Sequence, residues 1–289
     1  MLKPKKLALA LVLPLLLGLA TQAWAGIYYR AVTTTEGQRG QTQVEAWVEG
    51  PNAKVEFKES AQQGLPQGSY MLTTNAGQTL YLVNPKEKTY TEFDLEAMMG
   101  ALNSIMESSG GMFSFDIENP EVTKLSEDSG PTILGYPTTH YRYRTSYDMS
   151  IKVMGMKRGN SVEMLQDVWT TDAVSAEALG VWMRPLKPIG NEGMDELIKE
   201  QMKAVRGFPL RSVVETTTTG QKGKRENTTK SETVVQELDA DRSIPGGTFE
   251  IPPGYEKVDM MEGMAQQPGQ GDDEKKRGGL RGLFGGGGR

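Results

Sequence analysis

The sequence predicts a mainly β (α+β) domain. Its core is a large, curved, antiparallel sheet, an incomplete β-barrel, with two or three amphipathic helices covering the concave face. The segment "THYRYRTSYDMSIKV" alternates between two kinds of side chain over an unusual length for a strand. Shorter segments alternate in the same way between Gly, Pro and Asn turns. Segments with apolar residues at helical spacing interrupt this pattern.

Two hairpins are predicted in the first third of the chain. In residues 41–59, the apolar residues of "TQVEAWV" and "NAKVEF" fall on one face, and Gly50, Pro51 and Asn52 form the turn between them. In "LYLVNPKEKTYTEF", the strands Leu80–Val83 and Thr89–Phe93 flank a turn with Pro85 at its favoured second position. Each hairpin should pack one apolar face against the core.

The second half of the chain predicts longer strands. "NSVEMLQDVWTTD" is expected to pair back on the long strand, and "PLRSVVETTTTGQKGKRENTTKSETVVQELD" reads as two Thr/Val strands around a basic loop. "GGTFEIPPGYEKV" is predicted to be a closing edge segment, because Pro252 and Pro253 cannot donate hydrogen bonds to a neighbouring strand.

Three segments are predicted to be helices. The first covers about residues 95–108, with Asp94 as a plausible N-cap. The second starts after Asp172 and stops before Pro185. The third, "GMDELIKEQMKAVRGFP", carries an apolar stripe and ends at Gly207, a typical C-cap.

The two ends of the chain predict export and a flexible tail. A basic start, an apolar run and Ala23-Trp24-Ala25 indicate a signal peptide over residues 1–25, cleaved between Ala25 and Gly26. We therefore expect a periplasmic protein, or alternatively an extracellular one. Residues 26–259 form the folded domain, and the Gly-, Gln- and charge-rich residues 260–289 are predicted to be disordered.

The composition contains few of the residues that catalytic and metal sites commonly use. The chain has no Cys and a single histidine, His140, which is interpreted as a solvated strand residue, so a zinc site of clustered Cys and His is excluded. We predict no catalytic residue, metal site or cofactor, and no enzymatic activity. A hydrolase that uses carboxylates alone stays open. A net charge of −5 without a basic stripe argues against nucleic acid as a partner, and no later segment predicts a membrane span.

The apolar segments suggest a site for a hydrophobic ligand. Methionine is flexible and polarizable and is common on surfaces that accept varied apolar partners. The alternative interpretation is ordinary core packing between helix and sheet. The candidate lining residues are Leu95, Met98, Met99, Leu102, Ile105 and Met106 of the first helix, and Tyr141, Tyr143, Tyr147 and Met149 of the long strand.

Several segments together resemble a family of secreted bacterial domains of unknown function. They are "VEAWVEGPNAKVEF", "LYLVNPKEKTYTEFD", "GYPTTHYRYRTSYDMSIKVMGMKR", "AVRGFPLRSVVE" and "IPGGTFEIPPGYEKV", within roughly residues 27–258. That family is similar to the lipoprotein carriers and receptors LolA and LolB and to the lipid-binding stress sensor RseB. The resemblance implies an incomplete β-barrel whose helices close an apolar cavity for acyl chains. It carries over no individual ligand residue, and the lipid-anchored Cys typical of LolB is not present.

The leading hypothesis is a non-enzymatic periplasmic protein that binds a hydrophobic ligand (a lipid or the acyl chain of a lipoprotein) or an envelope partner. The alternative is an interaction or stress-sensor module with a solid core and no ligand cavity. An unrecognised hydrolase ranks last. The sequence does not predict the oligomeric state.

Overall fold

The computed structural model describes most of the predicted domain. The described residues are 26–61, 66–77, 79–94, 113–153, 156–174, 192–204, 206–220 and 226–258. The predicted signal peptide, the helix predicted at 95–108, most of the helix predicted after Asp172 and the C-terminal tail lie outside them.

Within these ranges, twelve strands form one mixed sheet. They are β1 (Gly26–Thr35), β2 (Gln41–Glu49), β3 (Asn52–Glu59), β4 (Tyr70–Thr73), β5 (Thr79–Asn84), β6 (Thr89–Asp94), β7 (Phe113–Ser129), β8 (Thr139–Val153), β9 (Met156–Thr171), β10 (Phe208–Gly220), β11 (Glu226–Arg242) and β12 (Glu256–Lys257). Their order is β12-β6-β5-β4-β3-β2-β1-β11-β10-β9-β8-β7. The two outermost strands do not pair with each other, so the sheet does not close into a barrel.

The mainly β class and both predicted hairpins are confirmed. Strands β2 and β3 pair around Gly50 and Pro51, and β5 and β6 pair around residues 85–88. Asn84 organises the second turn, because its side-chain oxygen accepts hydrogen bonds from the backbone N–H groups of Lys86 and Glu87.

The long strand and the strands after it also form as predicted. Strand β8 pairs with β9 along its whole length, and β9, β10 and β11 follow as antiparallel neighbours. One part of the fold prediction is wrong: the sheet is not purely antiparallel. Strand β12 runs parallel to β6, because the chain returns to that edge from a distant part of the sequence.

Strand β7 is the largest element that the sequence pattern does not reveal. It is an edge strand of 17 residues. Asn119 has a positive φ of 54° and precedes Pro120, and the register with β8 shifts between Glu118 and Glu121. This bulge breaks the alternation of side chains, so the periodicity that reveals β8 is lost in β7.

The sheet has two chemically different faces, defined here by the strand register. The helix face carries Ala46, Val48, Ala53 and Leu210, all buried, and the aromatic side chains of Tyr141 and Tyr143. The charged face is its opposite side; it carries the ionic residues Arg30, Lys54, Glu56, Asp167, Arg211 and Glu237. The alternation predicted for the hairpin at 41–59 thus separates these two faces.

Each face has its own apolar cluster. On the helix face, Phe208 and Leu210 pack with Val48, Ala53 and Val235. On the charged face, strands β4 and β5 contribute a second cluster of Tyr70, Leu72 and Val83. The C-terminal segment, defined as residues 243–258, covers this second cluster with Phe249, Ile251 and Tyr255.

Within the described residues the structure contains one helix, α1 (Glu192–Ala204), and it confirms the third predicted helix. Acidic residues lie in its first turn and Lys203 in its last, as the helix dipole favours. Gly193 touches strand β7: a Cβ atom there would lie 1.8 Å from the carbonyl oxygen of Ile117. The predicted C-cap, Gly207, has a φ of +69°. The predicted cover of two or three helices is not confirmed.

Candidate ligand-binding groove

A groove opens on the helix face where α1 ends above strands β7 and β8. Its volume is about 230 Å³. Strands β7 and β8 supply the floor, and the last turn of α1 together with Arg206 supplies one wall. The lining residues are Val122, Lys124, Tyr141, Tyr143, Glu200, Lys203, Ala204 and Arg206.

Two tyrosine rings form the apolar floor of this groove. Tyr141 and Tyr143 stack with ring centroids 5.9 Å apart and an angle of 19° between their planes. The Tyr143 hydroxyl group donates a hydrogen bond of 2.5 Å to the carbonyl oxygen of Ala204. This contact satisfies one of the free carbonyl groups at the helix end and holds α1 against the sheet. Burial raises the pKa of Tyr143, so the hydroxyl remains a donor at neutral pH.

The rim of the groove is basic. Lys124 lies 2.5 Å from the carboxylate of Glu127, and Lys203 lies 2.6 Å from that of Glu200. Hydrogen bonding from Lys124 lowers the pKa of Glu127, which keeps that carboxylate ionised. Arg206 is exposed and makes no ion pair within the residues that the structure describes. The groove therefore offers an aromatic floor beside three cationic side chains and one lining carboxylate.

The structure brings two of the predicted ligand-binding residues to this groove, Tyr141 and Tyr143. Tyr147 and Met149 lie further along β8, half-buried and outside the groove lining. The six candidates between Leu95 and Met106 lie outside the described residues, so their part in a site remains a prediction. The basic rim was missed. Lys124 belongs to the unpredicted strand β7, and Lys203 and Arg206 look in the sequence like residues that favour a helix C-terminus.

His140 is not the solvated residue that the sequence suggested. Its Nε2 lies 2.8 Å from a carboxylate oxygen of Asp167, and its ring stacks on Trp169 at 4.5 Å. The guanidinium group of Arg211 also lies over Trp169, 4.7 Å from the centroid of its ring. These residues are cross-strand neighbours on the charged face, so the strand register explains why an isolated histidine in the sequence is partnered in the fold.

The described part of the chain contains no group of three or more His, Cys, Asp or Glu residues placed to hold a metal ion. Its helix is too short and too polar to be a candidate membrane span.

The chain was compared with solved structures and with curated proteins. It is similar to the structure of PNGF-II, at 13% identity and a TM-score of 0.35. That match covers 83% of this chain, which spans only 32% of the PNGF-II chain. It is also similar to a DUF1329 family protein from Desulfovibrio piger, at 9% identity and a TM-score of 0.30, covering 79% of this chain and 91% of that one. No curated protein matches.

A protein family matches most of the folded region. The match extends over residues 31–255, from strand β1 to the C-terminal segment on the charged face. It therefore includes the groove, the buried residues of both apolar clusters, the second half of β1 and the whole of β2 to β11. The chain belongs to the family of domains of unknown function DUF4412.

Proposed function

We propose that this protein is a non-enzymatic binding protein of the cell envelope that holds a hydrophobic ligand, a lipid or the acyl chain of a lipoprotein, on the helix face. The observation that carries the proposal is the groove between α1 and the sheet. Its floor consists of two stacked tyrosine rings, a surface that suits an apolar chain.

The wall of the groove supports the same function. Helix α1 is attached at two points, through the close contact of Gly193 with β7 and the hydrogen bond from Tyr143 to Ala204. Apolar ligands bind best to sites that are already formed, because little ordering is then needed. A helix held in this way keeps the groove open in the absence of ligand.

Export into the envelope is part of the proposal. The predicted cleavage would make Gly26 the first residue of the mature chain, and Gly26 belongs to strand β1. A Cβ atom on Gly26 would lie 2.2 Å from the side chain of Ile244, so a larger residue there would require Ile244 to move. Mass spectrometry of the chain recovered from a periplasmic fraction should give a mature form that begins at Gly26. Recovery of an uncleaved chain in the cytoplasm would contradict export.

Ligand binding is tested by native mass spectrometry and lipid extraction of the chain purified from the periplasm. We expect adducts with the mass of lipids, and displacement of a fluorescent fatty acid by added lipid. Protein that is consistently empty and does not bind the fluorescent fatty acid would overturn the proposal.

A pair of variants on α1 connects the binding to the groove. Ala204→Leu places a larger side chain in the groove and should weaken binding of the fluorescent fatty acid about tenfold. Lys199→Leu adds the same side chain at an exposed position of α1 outside the groove lining and should leave binding unchanged. If the two substitutions change the affinity for the fluorescent fatty acid equally, the ligand does not bind in the groove.

The size of the groove favours a second candidate function, an interaction or sensor module. A volume of about 230 Å³ is below the roughly 300 Å³ at which small-molecule pockets begin. In that case the sheet would act as a packed scaffold, and partners would bind its surface. Empty protein in the experiment above, together with a partner recovered by crosslinking to the charged face, would favour this candidate.

A further inference from the structure

The charges of the residues that line the proposed binding groove indicate the charge of the ligand's head group. Three of its eight lining residues, Lys124, Lys203 and Arg206, are cationic, and Glu200 is anionic. Glu127 adds a second carboxylate at the rim, paired with Lys124, so the site has one positive charge in excess, that of Arg206. This local excess of positive charge stands in a chain whose net charge is −5. Charge complementarity therefore points to an anionic ligand.

We infer that the groove selects an anionic single-chain lipid, with the chain on the Tyr141 and Tyr143 rings and a carboxylate or phosphate head beside Arg206. The inference rests on the proposed function and adds the charge class of the ligand. Arg206 is assigned to the head because a guanidinium group can form two parallel hydrogen bonds with a carboxylate or phosphate.

The ion pairs of the rim explain why Arg206 differs from the two lysines. Lys124 and Lys203 already have carboxylate partners at 2.5 Å and 2.6 Å. Arg206 has none among the described residues. Its charge adds to the effect of Lys124 in lowering the pKa of Glu127, and it opposes the rise that burial causes in the pKa of Tyr143. An anion beside Arg206 therefore gains a contact without breaking an existing ion pair.

The position of the rim also has a purely structural explanation, which the experiment has to separate from binding. Lys203 and Arg206 lie at the C-terminal end of α1, where cations stabilise the negative end of the helix dipole. If they serve only the helix, removing their charge changes stability and leaves the ligand preference as it was.

Isothermal titration calorimetry with three probes of equal chain length makes this separation. Decyl phosphate, decanol and decyltrimethylammonium carry an anionic, a neutral and a cationic head, and each is used below its critical micelle concentration. We expect decyl phosphate to bind at least threefold more tightly than decanol and the cation to bind most weakly. Inorganic phosphate alone should show no binding at the same concentration, because it lacks the chain.

Two matched variants assign the preference to Arg206. Arg206→Gln should weaken binding of decyl phosphate about threefold to fivefold, the range of a solvent-exposed charge contact, and leave decanol unchanged. Arg39→Gln removes the same charge from an exposed position in the turn between β1 and β2, far from the groove in the sheet order, and should change neither affinity.

The outcomes separate the two proposals. Equal affinity for all three heads, or an equal loss for decanol and decyl phosphate in Arg206→Gln, would overturn the inference and leave the proposed function standing. Binding of inorganic phosphate as tight as that of decyl phosphate would show a simple anion site and overturn the assignment to a lipid. Failure of all three probes to bind would overturn both proposals.

Discussion

The two faces of the sheet are stabilised by different chemistry although they share the same strands. On the helix face, the cluster around Phe208 and Leu210 joins β1, β2 and β3 to β10 and β11. On the charged face, cross-strand ion pairs dominate: Arg30 lies 3.6 Å from Glu237, and the nearest contact between Arg211 and Glu232 is 2.8 Å. Its own apolar cluster is confined to β4–β6 and needs the C-terminal segment as a cover.

This difference indicates which face of the sheet contributes most to the free energy of unfolding. Ion pairs that are partly exposed contribute little to the free energy of unfolding, usually less than about 1 kcal/mol each. Buried apolar side chains contribute several times more. The helix face should therefore carry most of the stability in the middle of the sheet, whereas the charged face depends on the segment that covers one end of it.

The largest expected effect is on the helix face. Phe208→Ala should lower the free energy of unfolding by about 3–5 kcal/mol, because Phe208 is 1% exposed and packs edge-to-face on Tyr29 at 5.4 Å. Ile251→Ala in the C-terminal segment removes a half-buried side chain and should cost about 1–2 kcal/mol. Urea unfolding followed by tryptophan fluorescence measures both.

Leu134→Ala serves as the control for this pair. Leu134 is 44% exposed, so its truncation should change stability by no more than about 0.5 kcal/mol. If Ile251→Ala is as costly as Phe208→Ala, the C-terminal segment is as much a part of the core as the strands, and the contrast between the faces fails.

The second prediction concerns alkaline pH, with one tyrosine on each face. Burial raises the pKa of Tyr29 and of Tyr70 to about 12, from 10.0. The unfolded chain loses these protons first, so the stability they provide is complete below about pH 10 and is lost as the pH rises to about 12. The contribution is on the order of 2–3 kcal/mol for Tyr29 and smaller for Tyr70, because solvent screens its less deeply buried hydroxyl group.

Tyr29→Phe and Tyr70→Phe each remove one ionisable group that contributes to the pH dependence of the free energy of unfolding. Urea unfolding of each variant between about pH 9 and pH 12 should show a smaller alkaline loss of stability than the unsubstituted chain. A reduced loss in Tyr29→Phe alone would mean that water reaches the Tyr70 hydroxyl on the charged face. A stability that stays constant up to about pH 12 would contradict the prediction for both.

The attachment of α1 gives the third prediction. Gly193→Ala should lower the free energy of unfolding by about 1–3 kcal/mol, because the new methyl group would collide with the Ile117 carbonyl oxygen and push α1 away from β7. Intrinsic helix propensity alone predicts the opposite sign, since alanine stabilises a helix relative to glycine. Gly246→Ala is the control, because a Cβ atom there meets nothing within 4 Å. A gain in stability for Gly193→Ala would show that α1 is not pressed against the sheet.

The sequence was most informative where a single strand alternates without interruption. The alternation in β2, β3 and β8 predicted the extent of these strands and most of their buried side chains, because side chains of a strand point alternately to its two faces. Ser150 is an exception, since it lies on the predicted polar side of β8 and is buried. The match over residues 31–255 confirms the predicted membership in a family of domains of unknown function.

The groove could be predicted only in part. Tyr141 and Tyr143 stand out by their spacing, but Val122 and Lys124 lie in β7, whose bulge at Asn119 hides the alternation. The basic rim forms where residues about 80 positions apart meet, Lys124 from β7 and Arg206 after α1. Such a meeting follows from strand order and helix placement, which local periodicity does not contain.

The smallest expected effect concerns two buried threonines on the helix face, and it has opposite signs at the two positions. Thr145 and Thr73 are both 0% exposed. The Thr145 hydroxyl has no hydrogen-bond partner in the described part of the chain, whereas the Thr73 hydroxyl accepts from the Gly77 N–H at 3.0 Å. Thr145→Val should therefore raise the free energy of unfolding by about 1 kcal/mol, and Thr73→Val should lower it by about 1–2 kcal/mol. Urea unfolding of both variants measures these changes. A loss of stability in both would mean that a water molecule or a ligand group forms a hydrogen bond with the Thr145 hydroxyl. The helix face would then be more polar than its apolar cluster suggests.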